Sequence, residues 1–431
     1  MTYSVPSKNI AVVGLWHLGS VYAASLAKMG FNVYGFDFNK KTVSNLKKGI
    51  PPILEPELRE TIARHLNKNL FFSDSEKILK NKKYIFITHD LEVDSNDVVK
   101  TAILEKTFSV LLNSTRGSVI VISSQVPIGT SRMLVNSFKK QGVQNPKVIY
   151  FPENLRLGSA FESFLNPERI ILGSDNQEVL VQFQKDFTFK CPVITMSLES
   201  AEMVKHALNS YLATCISFAS ELSDLSEKTG ANMVDVVKAL KSDKRVSPYA
   251  PINPGLGFAG GTLGRDIQSL RKIAKDNSYE PKLLNAVYDV NRDRLPGLIS
   301  KIKSLYPSLK NKTVGILGLT YKPNTNTLRR SMALELVAML KEKGCKLKAF
   351  DPVIKNKITD APYIKICKNL EDFFKGLDMA VLMTEWPEFL EMDVKKLSLL
   401  MNNKVIIDTK NFLASAEYKK NGFTYLGIGI N

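Results

Sequence analysis

The sequence predicts an α/β fold in which a central helical domain with one long helix joins two doubly wound domains. Two segments, 9–37 and 313–351, each run from a β-branched strand through a glycine turn and a helix to a second strand that ends at an aspartate. Between them, Leu198 to Thr229 keeps apolar residues near a helical period without a proline, and Gly230 follows as a stop signal. These patterns predict a sheet near each end of the chain and a long helix between the sheets.

The first segment shows the order of elements most clearly. Ile10 to Val13 reads as a strand, an alanine-rich helix follows the glycine turn, and Val33 to Phe36 reads as a second strand that ends at Asp37. Strands that alternate with helices form parallel sheets covered by helices. Because the same order returns from Thr313 to Asp351, we expect two Rossmann-like domains.

The length of the chain bears on its domain organisation. A chain of 431 residues is too long for one ordinary core. We expect an N-terminal Rossmann-like domain over 1–195, a central helical domain over 196–297 and a C-terminal Rossmann-like domain over 298–431. At about 1.5 Å per residue the long helix would reach about 45 Å. It could therefore link two domains and pair with a second subunit, or it could pack inside one domain.

Composition excludes several classes of protein. Hydrophobic residues make up 44% of the chain and charged residues 23%, as in soluble globular proteins. No window approaches the roughly 18 to 20 consecutive apolar residues of a membrane span, and the start lacks the pattern of a secretory signal. A cytoplasmic protein without a membrane span is expected. The four cysteines are far apart, which predicts neither a disulfide framework nor a metal site: Cys191, Cys215, Cys345 and Cys367.

The net charge of +17 could attract an anionic substrate, a membrane surface or nucleic acid. The lysines, however, are spread along the chain in pairs such as Lys40-Lys41 and Lys419-Lys420. This distribution is typical of a solvated surface. Without a basic run interleaved with aromatic residues, no nucleic-acid partner is predicted.

The glycine turn GLWHLG indicates a dinucleotide site. Gly14 and Gly19 keep the outer glycines of the fingerprint, Trp16 replaces the middle one, and Asp37 follows where it could bind ribose hydroxyls. An acid at this position favours NAD over NADP, because a 2′-phosphate would meet like charge. Trp16 would shift the phosphates or stack on the cofactor, or it would simply cover the start of the helix.

A second glycine-rich stretch, NPGLGFAGGTLGRD, runs from Asn253 to Asp266 and contains five glycines in fourteen positions. Glycine lets backbone N–H groups approach an anionic ligand closely. This loop is typical of a phosphate or sugar cradle.

The chain resembles the UDP-glucose/GDP-mannose dehydrogenases from about Asn9 to about Gly427. The glycine-rich stretch resembles their active-site loop, and the other landmarks follow in the family's order. They are GIPPILEPEL (49–58), SSQVPIGT (123–130), FPENLRLGSAFESFLNPERIILG (151–173), ESAEMVKHALNSYLATCISFASEL (199–222), DKRVSPY (243–249), GLTYKPNTNTLRRS (318–331), FDP (350–352), TEWPEF (384–389) and DTKNF (408–412). The resemblance implies NAD as cofactor, a nucleotide sugar as substrate and a homodimer formed through the central helix.

Lys205 and Asn209 lie four residues apart, so they would project from one face of a helix, where an ammonium and an amide can stabilise an alkoxide. The resemblance assigns them that role, with Asp266 as a general base or water positioner. It also implies that Arg245 reaches the substrate of a partner subunit, and that Lys322 contacts the ligands from the C-terminal domain. Each of these residues taken alone would more often be an ordinary surface or helix residue.

The remaining site residues are likewise implied by the resemblance. Further cofactor contacts would come from His17, Leu18, Thr88, Gln125 and Arg329, and further substrate contacts from Leu155, Tyr249, Gly255, Phe258 and Gly260, while Glu153 and Thr262 would lie among the catalytic residues.

Three of the positions that depart from the family pattern bear on a single mechanism. Thr262 stands where the family has its nucleophilic cysteine, Leu157 replaces a glutamate and Gln125 replaces a threonine. An alcohol is a far weaker nucleophile than a thiol with a pKa near roughly 8.5. We therefore expect altered chemistry, a single two-electron oxidation that yields an aldehyde or ketone. The alternatives are a four-electron oxidation without a covalent intermediate, and a nucleotide-sugar-binding pseudoenzyme.

Overall fold

The computed structural model describes residues 8–92, 99–115, 117–152, 155, 158–259, 263–328 and 331–430. The chain divides into two compact units, and the division falls between Leu208 and Asn209. Each unit contains its own sheet. The helix that carries both boundary residues runs from Leu198 to Thr229.

The first unit alternates strands and helices along the chain. Its strands are β1 (Asn9–Val13), β2 (Asn32–Phe36), β3 (Leu70–Ser73), β4 (Tyr84–Ile87), β5 (Val119–Ile122), β6 (Val148–Tyr150), β7 (Ile170–Gly173) and β8 (Val193–Met196). Its helices before the long one are α1 (His17–Lys28), α2 (Lys40–Leu46), α3 (Leu58–His65), α4 (Ala102–Ser114), α5 (Thr130–Lys140), α6 (Ala160–Leu165) and α7 (Gln177–Phe187).

The strands of this unit pair in the order β3-β2-β1-β4-β5-β6-β7-β8. The chain leaves β1 toward β2 on one side and returns to β4 on the other, so β1 and β4 flank the point where the strand order reverses. Ligands of such sheets bind outside the carboxyl ends of the strands at this point. The turn after β1 and the residues after β4 therefore lie where a cofactor site is expected.

One strand pair differs from the parallel sheet predicted. β6 and β7 are antiparallel, with Tyr150 opposite Gly173, whereas β7 and β8 are parallel to each other. The connection between β6 and β7 contains α6, whose six residues rise only about 9 Å. A connection with so short a helix leads the chain into β7 from the carboxyl edge of β6 rather than back to its amino edge.

Both faces of the first sheet are buried, as predicted for a doubly wound arrangement. Alternate residues of β1 enter different hydrophobic clusters, Ile10 and Val12 on one face and Ala11 and Val13 on the other. Helices must therefore cover each face. This burial holds the carboxyl ends of β1 and β4 in a rigid frame beside the glycine turn.

The helix α8 (Leu198–Thr229) has the bounds that the sequence predicts. Gly230 follows it with φ of +76°, a conformation that glycine adopts without strain and that commonly ends helices. Four large apolar side chains on α8 are exposed by between 43% and 61%: Met203, Tyr211, Phe218 and Leu225. Their spacing of eight, seven and seven residues keeps them close to one side of the helix.

The second unit contains a helical region followed by another α/β region. Its helices are α9 (Met233–Ser242), α10 (Arg265–Asp276), α11 (Lys282–Arg292), α12 (Arg294–Leu305), α13 (Met332–Glu342), α14 (Leu370–Phe374), α15 (Val394–Ser398) and α16 (Ser415–Lys420). Its strands are β9 (Thr313–Leu317), β10 (Lys346–Phe350), β11 (Lys365–Ile366), β12 (Met379–Leu382), β13 (Val405–Asp408) and β14 (Thr424–Leu426).

The second sheet has the order β11-β10-β9-β12-β13-β14, and all its pairs are parallel. Its strand order matches that of the first six strands of the N-terminal sheet. The predicted fold class, two Rossmann-like sheets with a long helix between them in the chain, is confirmed. In the described ranges, no helix is both long and apolar enough to cross a membrane.

Candidate active site

The turn between β1 and α1 permits very close backbone contacts. Gly14 has φ of +92°, and a Cβ on Gly19 would lie 1.7 Å from the Gly14 carbonyl oxygen. The Thr88 hydroxyl, just after β4, donates to the carbonyl oxygens of Val13 at 3.0 Å and Gly14 at 2.8 Å. Three residues predicted to form the cofactor site, Gly14, Gly19 and Thr88, therefore lie together. A side chain at either glycine would clash with neighbouring atoms and disrupt the turn.

Asp37 lies directly after β2 and contacts the same turn. Its Oδ2 accepts the backbone N–H of Leu15 at 2.6 Å, and its Oδ1 accepts that of Asn39 at 2.8 Å. The side chain is only half-buried. A carboxylate has more lone pairs than these two bonds use, so it can also accept ribose hydroxyls. The position is the one at which an acid selects NAD over NADP.

The residues inside the turn have different surroundings. Trp16 is 37% exposed and makes no side-chain cap at the start of α1, whereas Leu18 is buried in the core. His17 is the first residue of α1, and its Nε2 lies 2.9 Å from Oε2 of Glu55. The turn thus presents an indole to solvent and an imidazole to a buried acid.

Glu55 received no role from sequence reasoning beyond its place in a family-like segment. It also accepts the backbone N–H groups of Gly158 and Ala160, each at 2.9 Å. Burial opposes ionisation of this carboxyl, but hydrogen bonds from His17, Ala160 and Gly158 outweigh it and hold the pKa of Glu55 below its ordinary value. Glu55 is therefore an anion at neutral pH.

His89 is a second residue that sequence reasoning missed. A Cβ on Gly14 would lie 2.6 Å from its Nδ1, so the imidazole packs directly against the glycine turn. Its Nε2 lies 2.8 Å from Oγ1 of Thr107, and its ring stacks on Phe38. Burial lowers the pKa of His89 to about 4, despite the opposing charge of Asp37. The ring is therefore neutral at neutral pH and acts here through shape and hydrogen bonding.

The loop that contains Gln125 is held by the first turns of α8. Oε2 of Glu202 accepts the N–H of Gly129 at 2.5 Å, and Oε1 accepts that of Ser131 at 2.8 Å. These amides lie at the N-terminus of α5, so Glu202 caps that helix. Glu202 is fully buried, and burial raises its pKa.

A second contact from α8 reaches the same loop. His206 Nε2 donates to the carbonyl oxygen of Val126 at 2.9 Å, next to the buried Gln125. Lys205 is also buried and lies between Glu202 and His206 on α8. The structure therefore places two predicted site residues of the first unit, Lys205 and Gln125, on segments joined by direct hydrogen bonds.

In the second unit, Asn209 and Asp266 are brought together as predicted. The Asn209 side-chain amide donates to Oδ2 of Asp266, and both side chains are buried. Asp266 lies in the first turn of α10, where the helix dipole favours a negative charge. Lys205 and Asn209 are one turn apart along α8, as the sequence predicts.

The described part of the glycine-rich loop is held by one asparagine. Asn291 of α11 accepts the N–H of Phe258 at 2.8 Å and donates to the Phe258 carbonyl at 2.9 Å. A Cβ on Gly257, which has φ of +87°, would lie 2.5 Å from Oδ1 of the same asparagine. Phe258 is buried, while Gly255 lies near the Thr409 carbonyl. Asn291 was not predicted, because it lies 33 residues beyond the loop it binds.

Arg245 and Tyr249 are solvent-exposed. Tyr249 is 92% exposed, and Arg245 forms an ion pair with Asp243 at 2.7 Å. Lys322 and Leu155, two further predicted substrate contacts, are half-buried.

The second sheet has a similar glycine turn, but the aspartate beside it has different surroundings. Gly318 has φ of +85°, and the N–H groups of Leu319 and Thr320 donate to Oδ2 of Asp351 at 2.7 and 3.1 Å. Here, however, the indole N–H of Trp386 also donates to that oxygen, at 3.3 Å, and Asp351 is fully buried.

Five positions that the sequence analysis singled out lie outside the described residues. They are Glu153, Leu157, Gly260, Thr262 and Arg329.

Three models of the UDP-glucose/GDP-mannose dehydrogenase family match consecutive parts of the chain. The NAD binding domain matches residues 8–187, the central domain residues 199–293 and the UDP binding domain residues 315–415. The matched ranges follow the order of the predicted domains.

Individual relatives match over almost their whole length. The UDP-glucose 6-dehydrogenase TuaD of Bacillus subtilis is 32% identical, over 98% of this chain and 93% of its own. The UDP-glucose 6-dehydrogenase of Rickettsia bellii is 33% identical, over 98% of this chain and 99% of its own. The solved structure of a UDP-glucose dehydrogenase from Pyrobaculum islandicum aligns with a TM-score of 0.90 and 25% identity, covering 100% of both chains.

Proposed function

The chain belongs to the UDP-glucose/GDP-mannose dehydrogenase family, and from this premise we propose that it oxidises one alcohol group of a UDP-sugar once, with NAD as the hydride acceptor. It is an NAD-dependent oxidoreductase that acts on a UDP-sugar.

The turn after β1 fits the cofactor. The 1.7 Å separation between a Cβ on Gly19 and the Gly14 oxygen means that only glycine fits there, as the close packing of the helix on the strand in a dinucleotide-binding turn requires. Asp37, half-exposed and held by the Leu15 N–H, is placed to accept ribose hydroxyls. When bound, NAD accepts a hydride. The glycine turn and Asp37 together support NAD as the hydride acceptor.

The buried hydrogen bond between Asn209 and Asp266 supports a catalytic role for both. Asp266 fixes the orientation of the Asn209 amide, whose second N–H can then donate to a sugar oxygen. We assign to Lys205, one turn away on α8, the stabilisation of the alkoxide that forms when the sugar hydroxyl loses its proton, before its carbon passes a hydride to NAD. Asp266 would accept the proton of the sugar hydroxyl, or it would bind the water molecule that accepts this proton.

The single oxidation is proposed from residue identity. Thr262 stands at the nucleophile position of the family loop, where an alcohol without a strong neighbouring base would not trap an aldehyde. Leu157 and Gln125 depart from the same part of the family pattern. One alcohol would then become one aldehyde or ketone, with one hydride passed to NAD and one proton released.

The number of NADH molecules formed per sugar tests this proposal. Purified protein is incubated with excess NAD and a limiting amount of each member of a panel of UDP-, GDP- and TDP-sugars, and NADH is measured at the end point. One NADH per sugar is expected with a UDP-sugar. Two would support a four-electron oxidation through a hydrated aldehyde, and sugar binding without NADH would support a pseudoenzyme.

We propose the domain bounds 1–195, 196–297 and 298–431, and a homodimer formed through α8. The four exposed apolar side chains on one side of α8 support the dimer, since a stripe of this kind is typical of helix pairing. Sedimentation should show a dimer, and Phe218→Glu should shift it toward the monomer. The exposure of Arg245 agrees with its predicted contact to a partner's substrate. The cytoplasmic location stays a prediction of the sequence.

A further inference from the structure

Glu55 connects two separate segments of the first unit through one carboxylate. Its side chain has no exposed surface. Oε2 binds both His17 Nε2 and the Gly158 N–H, and Oε1 binds the Ala160 N–H, all at 2.9 Å. These partners are 38, 103 and 105 residues away from Glu55 in the chain.

The first of the two segments is the cofactor turn. His17 opens α1 within the turn that Gly14 and Gly19 form, and its backbone N–H lies where helix N-termini bind phosphate. A hydrogen bond from the His17 ring to a buried anion fixes the orientation of this residue. The first turn of α1 is thereby attached to Glu55.

The second segment directly follows residues that we assign to the sugar. Gly158 and Ala160 come just after the stretch 153–157, which contains Leu155, a proposed substrate contact. Gly158 has φ of +85°. Both hydrogen bonds to Glu55 come from backbone amides, those of Gly158 and Ala160, so they fix the main chain at 158–160.

A carboxylate suits this position because all three partners donate. An ionised carboxylate only accepts hydrogen bonds, and bonds from donors to a charged group are stronger than neutral ones. A glutamine would present one oxygen and one NH₂ group. The NH₂ group would face either the Ala160 N–H or the two donors of His17 and Gly158. The hydrogen bonds on that side of the side chain would then be lost.

We propose that Glu55 is a positioning residue that aligns the NAD-binding turn and the sugar-binding segment together, and so controls the affinity of the enzyme for both ligands. This inference rests on the proposed function, in which the turn binds NAD, and on the predicted sugar contact of Leu155, three residues before Gly158. Glu55 touches neither ligand in this account. It acts through His17 on one side and through the 158–160 backbone on the other.

The variant Glu55→Gln tests the inference. We expect the KM for NAD and the KM for the UDP-sugar each to rise about tenfold, with a smaller change in kcat, because charged hydrogen bonds to both segments are disrupted. The matched control is Glu57→Gln. Glu57 is exposed, pairs with Lys28 at 3.0 Å and should leave both KM values unchanged.

The outcomes separate positioning from simple stabilisation. A lower melting temperature with both KM values unchanged would overturn the inference, and so would a rise in one KM alone. Should Glu55→Gln fail to fold, the same KM values are measured for Glu55→Asp. Both should again rise, because the shorter side chain keeps the charge but cannot span both segments.

Failure of the proposed function can be told apart from failure of this inference. Turnover of UDP-glucose with NAD by the unmodified protein is measured first. If it is absent, calorimetric titrations of NAD and of UDP-glucose replace the KM values. Weaker binding of both ligands by the Glu55 variant, but not by the Glu57 variant, would still support the positioning role, and equal binding by all three proteins would overturn it.

Discussion

The backbone N–H of Leu15 donates to the carboxylate of Asp37 at 2.6 Å, which joins the carboxyl ends of β1 and β2 at the glycine turn. Asp37 therefore has two roles that can be separated, since one oxygen organises the turn while the half-exposed carboxylate offers charge to a ligand. An asparagine substituted for Asp37 would keep the shape of the side chain and one acceptor oxygen but lose the charge.

Asp37→Asn should weaken NAD binding and reduce discrimination against NADP. We expect the KM for NAD to rise about tenfold, because hydrogen bonds to charged groups contribute about 1.5–3 kcal/mol. The KM for NADP should rise less or fall, since the repulsion of a 2′-phosphate is removed. Steady-state kinetics with both cofactors measure this. Asp74→Asn, at an exposed carboxylate after β3, is the control, and an unchanged NADP/NAD ratio in Asp37→Asn would contradict the role of the charge.

Gly19→Ala should prevent formation of the cofactor turn. A methyl group 1.7 Å from the Gly14 carbonyl oxygen cannot be accommodated without moving α1 away from β1. We expect a loss of roughly 3 kcal/mol or more in the free energy of unfolding, measured by urea denaturation. Gly297→Ala is the control, because no atom lies within 4 Å of its Cβ position in α12. That substitution should be neutral or stabilise by up to about 1 kcal/mol. A Gly19→Ala protein of normal stability would show that the turn is looser than described.

Asn291→Ala should impair catalysis through the glycine-rich loop. Both side-chain hydrogen bonds to the Phe258 backbone would be lost, which leaves the loop around Gly257 without its clamp. We expect kcat/KM to fall about tenfold to a hundredfold, since two hydrogen bonds of about 1 kcal/mol each position the loop. Asn285→Ala removes an asparagine from the same helix that binds Arg271 instead. Equal kinetic losses in both variants would point to a general effect on α11.

Asp186 should make the first unit sensitive to acid. It is buried, which opposes ionisation, but hydrogen bonds from Lys8, Lys83, Tyr84 and Gln182 hold its pKa well below the ordinary value. A carboxyl with a lowered pKa in the folded state contributes stability above its unfolded pKa of about 3.9, and that contribution is lost as the pH falls below it.

The variant Asp186→Asn should therefore be destabilised by about 2 kcal/mol at pH 7, because the buried carboxylate loses its charged hydrogen bonds with Lys8 and Lys83. The difference from the unmodified protein should narrow by about 1 kcal/mol at pH 3. Urea denaturation at both pH values measures this. Asp276→Asn breaks only an exposed pair with Lys272 and should change stability little at either pH. A pH-independent difference would mean that Asp186 acts by packing alone.

Thr262→Cys should not by itself create a two-step enzyme. The thiol would supply a nucleophile, but Leu157 and Gln125 also differ from the family pattern. We expect the ratio of NADH to sugar in the end-point assay to stay at one. A ratio of two with this single variant would show that Thr262 alone determines the outcome. Thr262→Ser is the control for a change at the same position without a thiol.

Local patterns predicted the fold well. The helix from Leu198 to Thr229 was predicted with the bounds observed, because a long apolar period without proline ends at a glycine. The two glycine turns and the strands around them were also predicted, since strand, glycine and helix signals all lie within some forty residues.

The parts of the site that were missed depend on distant residues. Glu55 binds amides more than a hundred residues away, and Asn291 binds a loop 33 residues before it. His89 packs against Gly14 across the neighbouring strand. A side chain that binds the backbone of another segment leaves no periodic pattern in the sequence. The antiparallel β7 was missed for a similar reason, because strand direction depends on the path of the connection.

The indole of Trp386 on Asp351 determines how the duplicated turn can be used. In the second sheet, the oxygen that would meet a ribose already accepts donors from Leu319, Thr320 and Trp386. Each polypeptide then handles its redox cofactor at the first sheet, so any second oxidation must wait while NADH leaves and NAD enters. In an enzyme that oxidises twice, the ratio of aldehyde to acid then depends on two rates, the release of the aldehyde and the exchange of NADH for NAD. In an enzyme that stops after one oxidation, the product does not depend on these rates.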